Sequence, residues 1–145
     1  MVVSSENESL LNSGRTQYDP ALPHDVSIEL QQLEGEAIGV VRIEGTLNRF
    51  SSPRLKEVLR RAVDSGTNQL IIDLSDLTSV DSSGLGILIV MLQRARRVGG
   101  GLRLACANQR LVAILRTMSL DQLFQRDDTV QDAINYFRSS GQPNR

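Results

Sequence analysis

The sequence predicts an α/β domain: a single layer of four or five mostly parallel strands, the N-terminal one antiparallel, flanked by about four helices. Three observations predict it. From Val26 onward, apolar residues switch repeatedly between the two-residue period of a strand and the 3.6-residue period of a helix. The helical stretches are marked by start and stop residues. Between two of them lies "QLIIDL", Gln69 to Leu74, apolar almost throughout, as expected of a strand in a sheet covered on at least one face.

The elements follow in order. Residues 1–25 are polar and patternless and carry Pro20, Pro23 and the single histidine, His24, which predicts a flexible N-terminal arm. Val26, Ile28 and Leu30 alternate with polar residues, and "AIGVVRIEG" follows the turn Glu34-Gly35-Glu36, giving two strands joined by a hairpin. In "SSPRLKEVLRRAVDSG" Ser52 is a natural N-cap, with Pro53 at the first helical position. Leu55, Val58, Leu59, Ala62 and Val63 share one face of that helix, and Gly66 stops it. After "QLIIDL" the chain reads as a loop up to Val80.

A second helix opens at Asp81-Ser82-Ser83, with a core stripe of Leu85, Leu88, Ile89 and Leu92. Ile87, Val90 and Met91 fall on its other faces. Arg94, Arg96 and Arg97 suit its C-terminal dipole before Gly99-Gly100-Gly101 breaks it. "LRLACA" is a further strand, "NQRLVAILRTM" a helix opened by Asn108, and "QLFQ" a short edge strand. "DDTVQDAINYF" is a last helix, capped near Asp127 or Asp128, and residues 139–145 read as a disordered tail. Strands alternating with helices make a parallel sheet with right-handed crossovers. The domain therefore spans residues 26–138.

Composition narrows the function. A chain of 145 residues with 40% apolar and 23% charged residues is ordinary globular material for one domain. The net charge of −1 gives no field for nucleic acid or anionic membrane. The longest apolar run, Gly84 to Leu92, is nine residues, short of the ~20 that span a bilayer. "MVVSSENESLL" lacks the basic start and apolar stretch of a signal peptide, so the expected location is the cytoplasm. Cys106 is the only cysteine, read as a core thiol.

The stretch that asks for a function is "VDSSGLGILIVML", Val80 to Leu92. Asp81, Ser82 or Ser83 can each cap the helix, but one cap suffices and leaves a neighbour free. A serine nucleophile needs a base, and the single histidine lies in the arm while the single lysine, Lys56, is mid-helix. Gly84-x-Gly86 supplies two glycines of a nucleotide fingerprint that needs three. Asp73 or Asp76 as a phosphorylated aspartate lacks the adjacent acids that would hold magnesium. One cysteine and one histidine offer no metal set. What suits the place is a hydroxyl that receives a phosphoryl group. The first-turn amides and the positive end of the dipole tolerate an anion there.

The run "LIIDLSDLTSVDSSGLGILIVMLQRARRVGGGLRLACANQRLVAILRTMSLDQLF" resembles the STAS domain, the sulfate-transporter and anti-sigma-factor-antagonist module, over about Val26 to Phe137. The resemblance to its stand-alone antagonists implies a regulatory, non-enzymatic protein without cofactor or metal. In such proteins the first hydroxyl of the loop, here Ser82, is phosphorylated by a partner that is both serine kinase and anti-sigma factor, and a serine phosphatase reverses it. The unphosphorylated domain captures the kinase and releases the sigma factor. Asp81, Ser83, Gly84, Leu85, Gly86 and Asn48 are then the loop and partner-binding residues. Two positions depart from the pattern. Asn48 replaces an acid common after the second strand, and Ser119 replaces a glycine common before "LDxLF". A second reading keeps the fold: an accessory subunit of a membrane transporter or signalling scaffold, its loop unphosphorylated.

Overall fold

A computed structural model describes residues 26–140. Two strands form the N-terminal hairpin, β1 (Val26–Gln32) and β2 (Ile38–Leu47), paired antiparallel from Val26 opposite Gly45 to Gln32 opposite Gly39. Helix α1 (Ser52–Asp64), β3 (Gln69–Asp73), β4 (Leu77–Val80) and α2 (Ser82–Arg97) follow. The chain continues through β5 (Gly101–Ala105), α3 (Gln109–Thr117), β6 (Gln125–Asp127) and α4 (Val130–Ser140). The sheet order is β1-β2-β3-β5-β6, parallel from β2 on, with β4 paired to β2 beside this path.

Each crossover from β2 steps one strand further in the same direction. A right-handed connection repeated this way puts α1, α2 and α3 on one face. Leu55 and Leu59 of α1, Leu85, Leu88 and Leu92 of α2, and Leu111 and Leu115 of α3 bury there against Val41, Ile43, Leu70, Ile72 and Leu104 of the sheet. Helix α4 returns across the opposite face. There Ala133, Ile134 and Phe137 pack on Ile38, Ile71 and Ala105. Strand β3 explains its continuous apolar sequence: Leu70 and Ile72 face one layer and Ile71 the other. The far end of α4 is tied to the hairpin turn by Arg138, whose Nη2 lies 2.8 Å from Glu36 Oε2. That guanidinium holds the Glu36 carboxyl below its ordinary value.

Several elements differ from expectation for identifiable reasons. Among the described residues the sheet has six strands, because Leu77–Val80 is a strand rather than loop. It pairs with the end of β2 across a register shift between Gly45 and Thr46, where Thr78 is the extra residue. Gly45 takes φ +101°, a conformation that favours glycine, at this bulge. Ser52 is not the cap of α1: Ser51 holds the N-cap position without a side-chain cap, and Ser52 is the buried first residue. The last helix is opened not by Asp127 or Asp128 but by Thr129, whose Oγ1 accepts from the Asp132 amide at 3.0 Å. Edge strand β6 begins at Gln125, where "QLFQ" ends, and Phe124 instead turns into the core. Met91 is buried with Leu88 and Leu92 instead of lying on an outer face, and Ile89 is only half-buried. Ser139 and Ser140 of the expected tail belong to α4. The arm, residues 1–25, and residues 141–145 lie outside the described residues.

Ser119, just past α3, has φ +60°. A side chain in this left-handed conformation costs about 1 kcal/mol that glycine avoids. Ser119→Gly is therefore expected to stabilise the fold by about 0.5–1 kcal/mol in chemical denaturation. A loss of stability would mean that the serine side chain contributes more than its strain removes.

Candidate functional site

Strands β2 and β4 run parallel and deliver their following residues to the same end of the sheet. Their last rung pairs Leu47 with Val80, and the Asp81 amide donates to the Leu47 carbonyl at 3.0 Å. Beyond that rung one strand enters the turn Asn48-Arg49-Phe50 into α1 and the other the start of α2.

Asp81 is the N-cap of α2. Its Oδ1 accepts from the Ser83 amide at 2.9 Å and the Gly84 amide at 3.2 Å. The side chains of Ser82 and Ser83 are thereby released from capping, and among the described residues neither hydroxyl has a hydrogen-bond partner. Ser82 is exposed and Ser83 half-buried. A helix starts immediately beneath a free hydroxyl and presents the positive end of its dipole there.

The glycines of the loop have different reasons. A Cβ on Gly84 would lie 2.6 Å from both Cγ and Cδ2 of Leu47, which is fully buried. Gly84 therefore lets α2 approach the end of β2. At Gly86 a Cβ would meet nothing within 4 Å. Leu85 is only 3% exposed and anchors the loop from below. Of the predicted loop residues, the structure brings Asp81, Ser82, Ser83, Gly86 and Asn48 to the surface rim and puts Gly84 and Leu85 beneath it.

Asn48 organises its own turn. Its Oδ1 accepts from the Phe50 amide at 2.9 Å and the Ser51 amide at 3.2 Å, and its carbonyl accepts from the Ser52 amide and hydroxyl. An amide suits a role that an acid would share, since only the oxygen is used. Sequence reasoning missed the next two residues. Arg49 and Phe50 are both exposed, with the guanidinium carbon 4.7 Å from the ring centroid. The signal for them is their placement two and three residues past a strand end, which periodicity does not carry. Arg110, at the start of α3, donates to the carbonyl of the bulge residue Thr78 at 2.6 Å and holds β4 from its other side.

The remaining acids at this end are engaged structurally. Asp73 Oδ1 accepts from the Ser75 amide and hydroxyl, and Asp76 pairs with Arg42. Among the described residues no cluster of histidine, cysteine, aspartate or glutamate is arranged to hold a metal. Nor is any described helix long and apolar enough to cross a membrane.

The STAS domain family model matches residues 27–133. The chain belongs to the STAS domain family. A Thermotoga neapolitana protein provisionally described as an anti-sigma factor antagonist homologue is 32% identical over 79 residues, covering 54% of this chain and 70% of the relative. The anti-sigma-B factor antagonist of Bacillus subtilis is 27% identical over 99 residues, covering 68% of this chain and 88% of its own length. In fold, the chain is similar to the Bacillus cell fate determinant SpoIIAA in its phosphorylated form, with a TM-score of 0.61 at 18% identity over 77% of this chain and all of that one. Among the described residues, the six-stranded sheet with four helices shares the fold of that neighbour.

The two glycines make opposite predictions. Gly84→Ala is expected to lose about 1–2 kcal/mol, because overpacking against Leu47 exceeds the helix-propensity gain of alanine. Gly86→Ala meets no neighbour and is expected to gain about 0.5–1 kcal/mol. Asp81→Ala should cost about 1 kcal/mol and Ser83→Ala close to nothing, since the carboxylate supplies the cap. Urea denaturation of the four variants checks this order. Equal losses at positions 81 and 83 would show that the serine shares the capping.

Proposed function

We propose that this protein is an anti-sigma factor antagonist whose binding is switched by phosphorylation of Ser82. One observation carries the reading: Ser82 is an exposed hydroxyl at a helix start already capped by Asp81. A phosphoryl group added there displaces no structural hydrogen bond, so the fold accepts it. The named relatives support the class of partner, an anti-sigma factor. The finer assignment is a partner that is also a serine kinase, with a serine phosphatase restoring the hydroxyl.

In the transfer this chain supplies the acceptor. The Ser82 oxygen forms a bond to the terminal phosphorus of ATP held by the partner, the bond to ADP breaks, and the hydroxyl proton passes to a base on the kinase. The product carries nearly two negative charges. At the exposed helix start these meet the positive end of the dipole, a stabilising field, although Asp81 already occupies the Ser83 and Gly84 amides. Under a docked partner the same charge must lose its water, and burying it without a cation is prohibitive. The free domain thus tolerates the modification that the complex rejects. The site of action is the cytoplasm.

Ser82→Ala is expected to fold normally, take no phosphate and bind the kinase constitutively. Ser82→Asp is expected to fold, because a carboxylate is welcome at that helix end, and to bind at least about thirtyfold more weakly, corresponding to about 2 kcal/mol. Binding titrations with the purified anti-sigma kinase, paired with phosphopeptide mapping after incubation with ATP, provide the test. Wild-type affinity in Ser82→Asp would remove charge as the switch and favour a scaffold or transporter-accessory role.

A further inference from the structure

We propose that Arg49 is a receptor, within this same chain, for the phosphate on Ser82. The inference rests on the reading of Ser82 as phosphoacceptor and adds a contact specific to this sequence. Leu47 and Val80 form the last rung between β2 and β4, and the Asp81 amide donates to the Leu47 carbonyl at 3.0 Å. Arg49 lies two residues past that rung on one strand and Ser82 two residues past it on the other. Neighbouring strands are about 4.8 Å apart at the rung itself, and each position lies only two residues beyond it, one in the turn into α1 and the other at the start of α2.

The cation is available. Arg49 is exposed, and among the described residues it forms no ion pair; its recorded contact is the face of Phe50, itself 56% exposed. On the same strand, by contrast, Arg42 is held by Asp76 and Glu44. The adjacent charge that opposes an anion is the Asp81 carboxylate, partly offset by its amide bonds. Asn48 is uncharged and its Oδ1 is turned into its own turn. The carboxylate of Asp81 is directed at the Ser83 and Gly84 amides. A phosphate on Ser82 adds to the charge of Asp81 and so calls for a cation, and Arg49 is an exposed guanidinium at this end of the sheet without an ion pair among the described residues.

A guanidinium binds phosphate through charge-assisted, two-pronged hydrogen bonds, a stronger contact than its position over an exposed phenyl ring. Phosphorylation therefore draws Arg49 away from Phe50. The partner then meets a rim altered in two ways: a new charge on Ser82, and an aromatic side chain freed from its cation.

The test uses the full chain with phosphoserine placed at position 82 during translation by a reassigned codon, so that no kinase is needed. Melting temperatures of the phosphorylated and unmodified forms are compared in wild type, Arg49→Gln and Arg49→Lys. Phosphorylation is expected to shift the wild-type melting temperature upward relative to Arg49→Gln by about 2–4 °C, with Arg49→Lys between them and the difference shrinking in salt. The Arg49 side-chain Nε–H resonance, identified by its absence in Arg49→Gln, is expected to move on phosphorylation. Equal melting shifts in all three backgrounds with an unmoved resonance would overturn the contact while leaving Ser82 as acceptor. Failure of kinase labelling at Ser82 would overturn the acceptor reading and is measured separately.

Discussion

The hydrogen bond from the Asp81 amide to the Leu47 carbonyl closes the parallel pair β2–β4, and the arrangement of the site follows from it. That closure joins the strand end that leads into the turn Asn48-Arg49-Phe50 to the residue that caps α2. It also requires α2 to start close over Leu47, which only a residue without Cβ permits, hence Gly84. With the backbone fixed, the Asp81 carboxylate falls on the Ser83 and Gly84 amides. The adjacent Ser82 is left with a hydroxyl that no part of the described fold uses.

A switch built this way separates two costs. Stability lies in layers remote from the rim: Leu70, Ile72 and Leu104 on the side of α1 to α3, and Ile71 on the side of α4. Adding a phosphate to an exposed helix start involves terms of roughly 0.3–1 kcal/mol there, small against the stability of a domain. The same charge beneath a dehydrated interface involves several kcal/mol. The asymmetry needs no conformational change. The dianion is compatible with the free surface and incompatible with the covered one.

Most of the architecture was legible because its elements are long and strongly periodic. Leu55, Val58, Leu59 and Ala62 define α1, and the unbroken apolar run Leu70–Ile72 defines the buried β3. Strand β4 was missed because it has apolar residues only at its ends, Leu77 and Val80, and the bulge at Thr78 destroys the alternation that marks a strand. Met91 was legible and misplaced: with Leu88, Leu92 and Ala95 it completes the spacing of one helical face. The candidate site was partly legible. That a cap would free a neighbouring hydroxyl could be read from Asp81-Ser82-Ser83, but all three residue types cap well, and only the backbone geometry assigns the role to Asp81. Ser51 and Ser52 present the same tie one helix earlier. Arg49 and Phe50 lie in a turn without periodicity, and that this turn leaves the strand end paired with Val80 depends on a pairing between residues more than thirty apart, Leu47 and Val80.

The central claim is that the site is built before it is modified, so that phosphorylation changes a surface and not a fold. Backbone amide NMR spectra of the unmodified protein and the form phosphorylated at Ser82 test it most directly. Shifts are expected only at residues 48–52 and 80–86, with the amides of Leu70, Ile72 and Leu104 unmoved. Shifts spread through β3 and β5 would contradict it, because the phosphate would then be acting by rearranging the core.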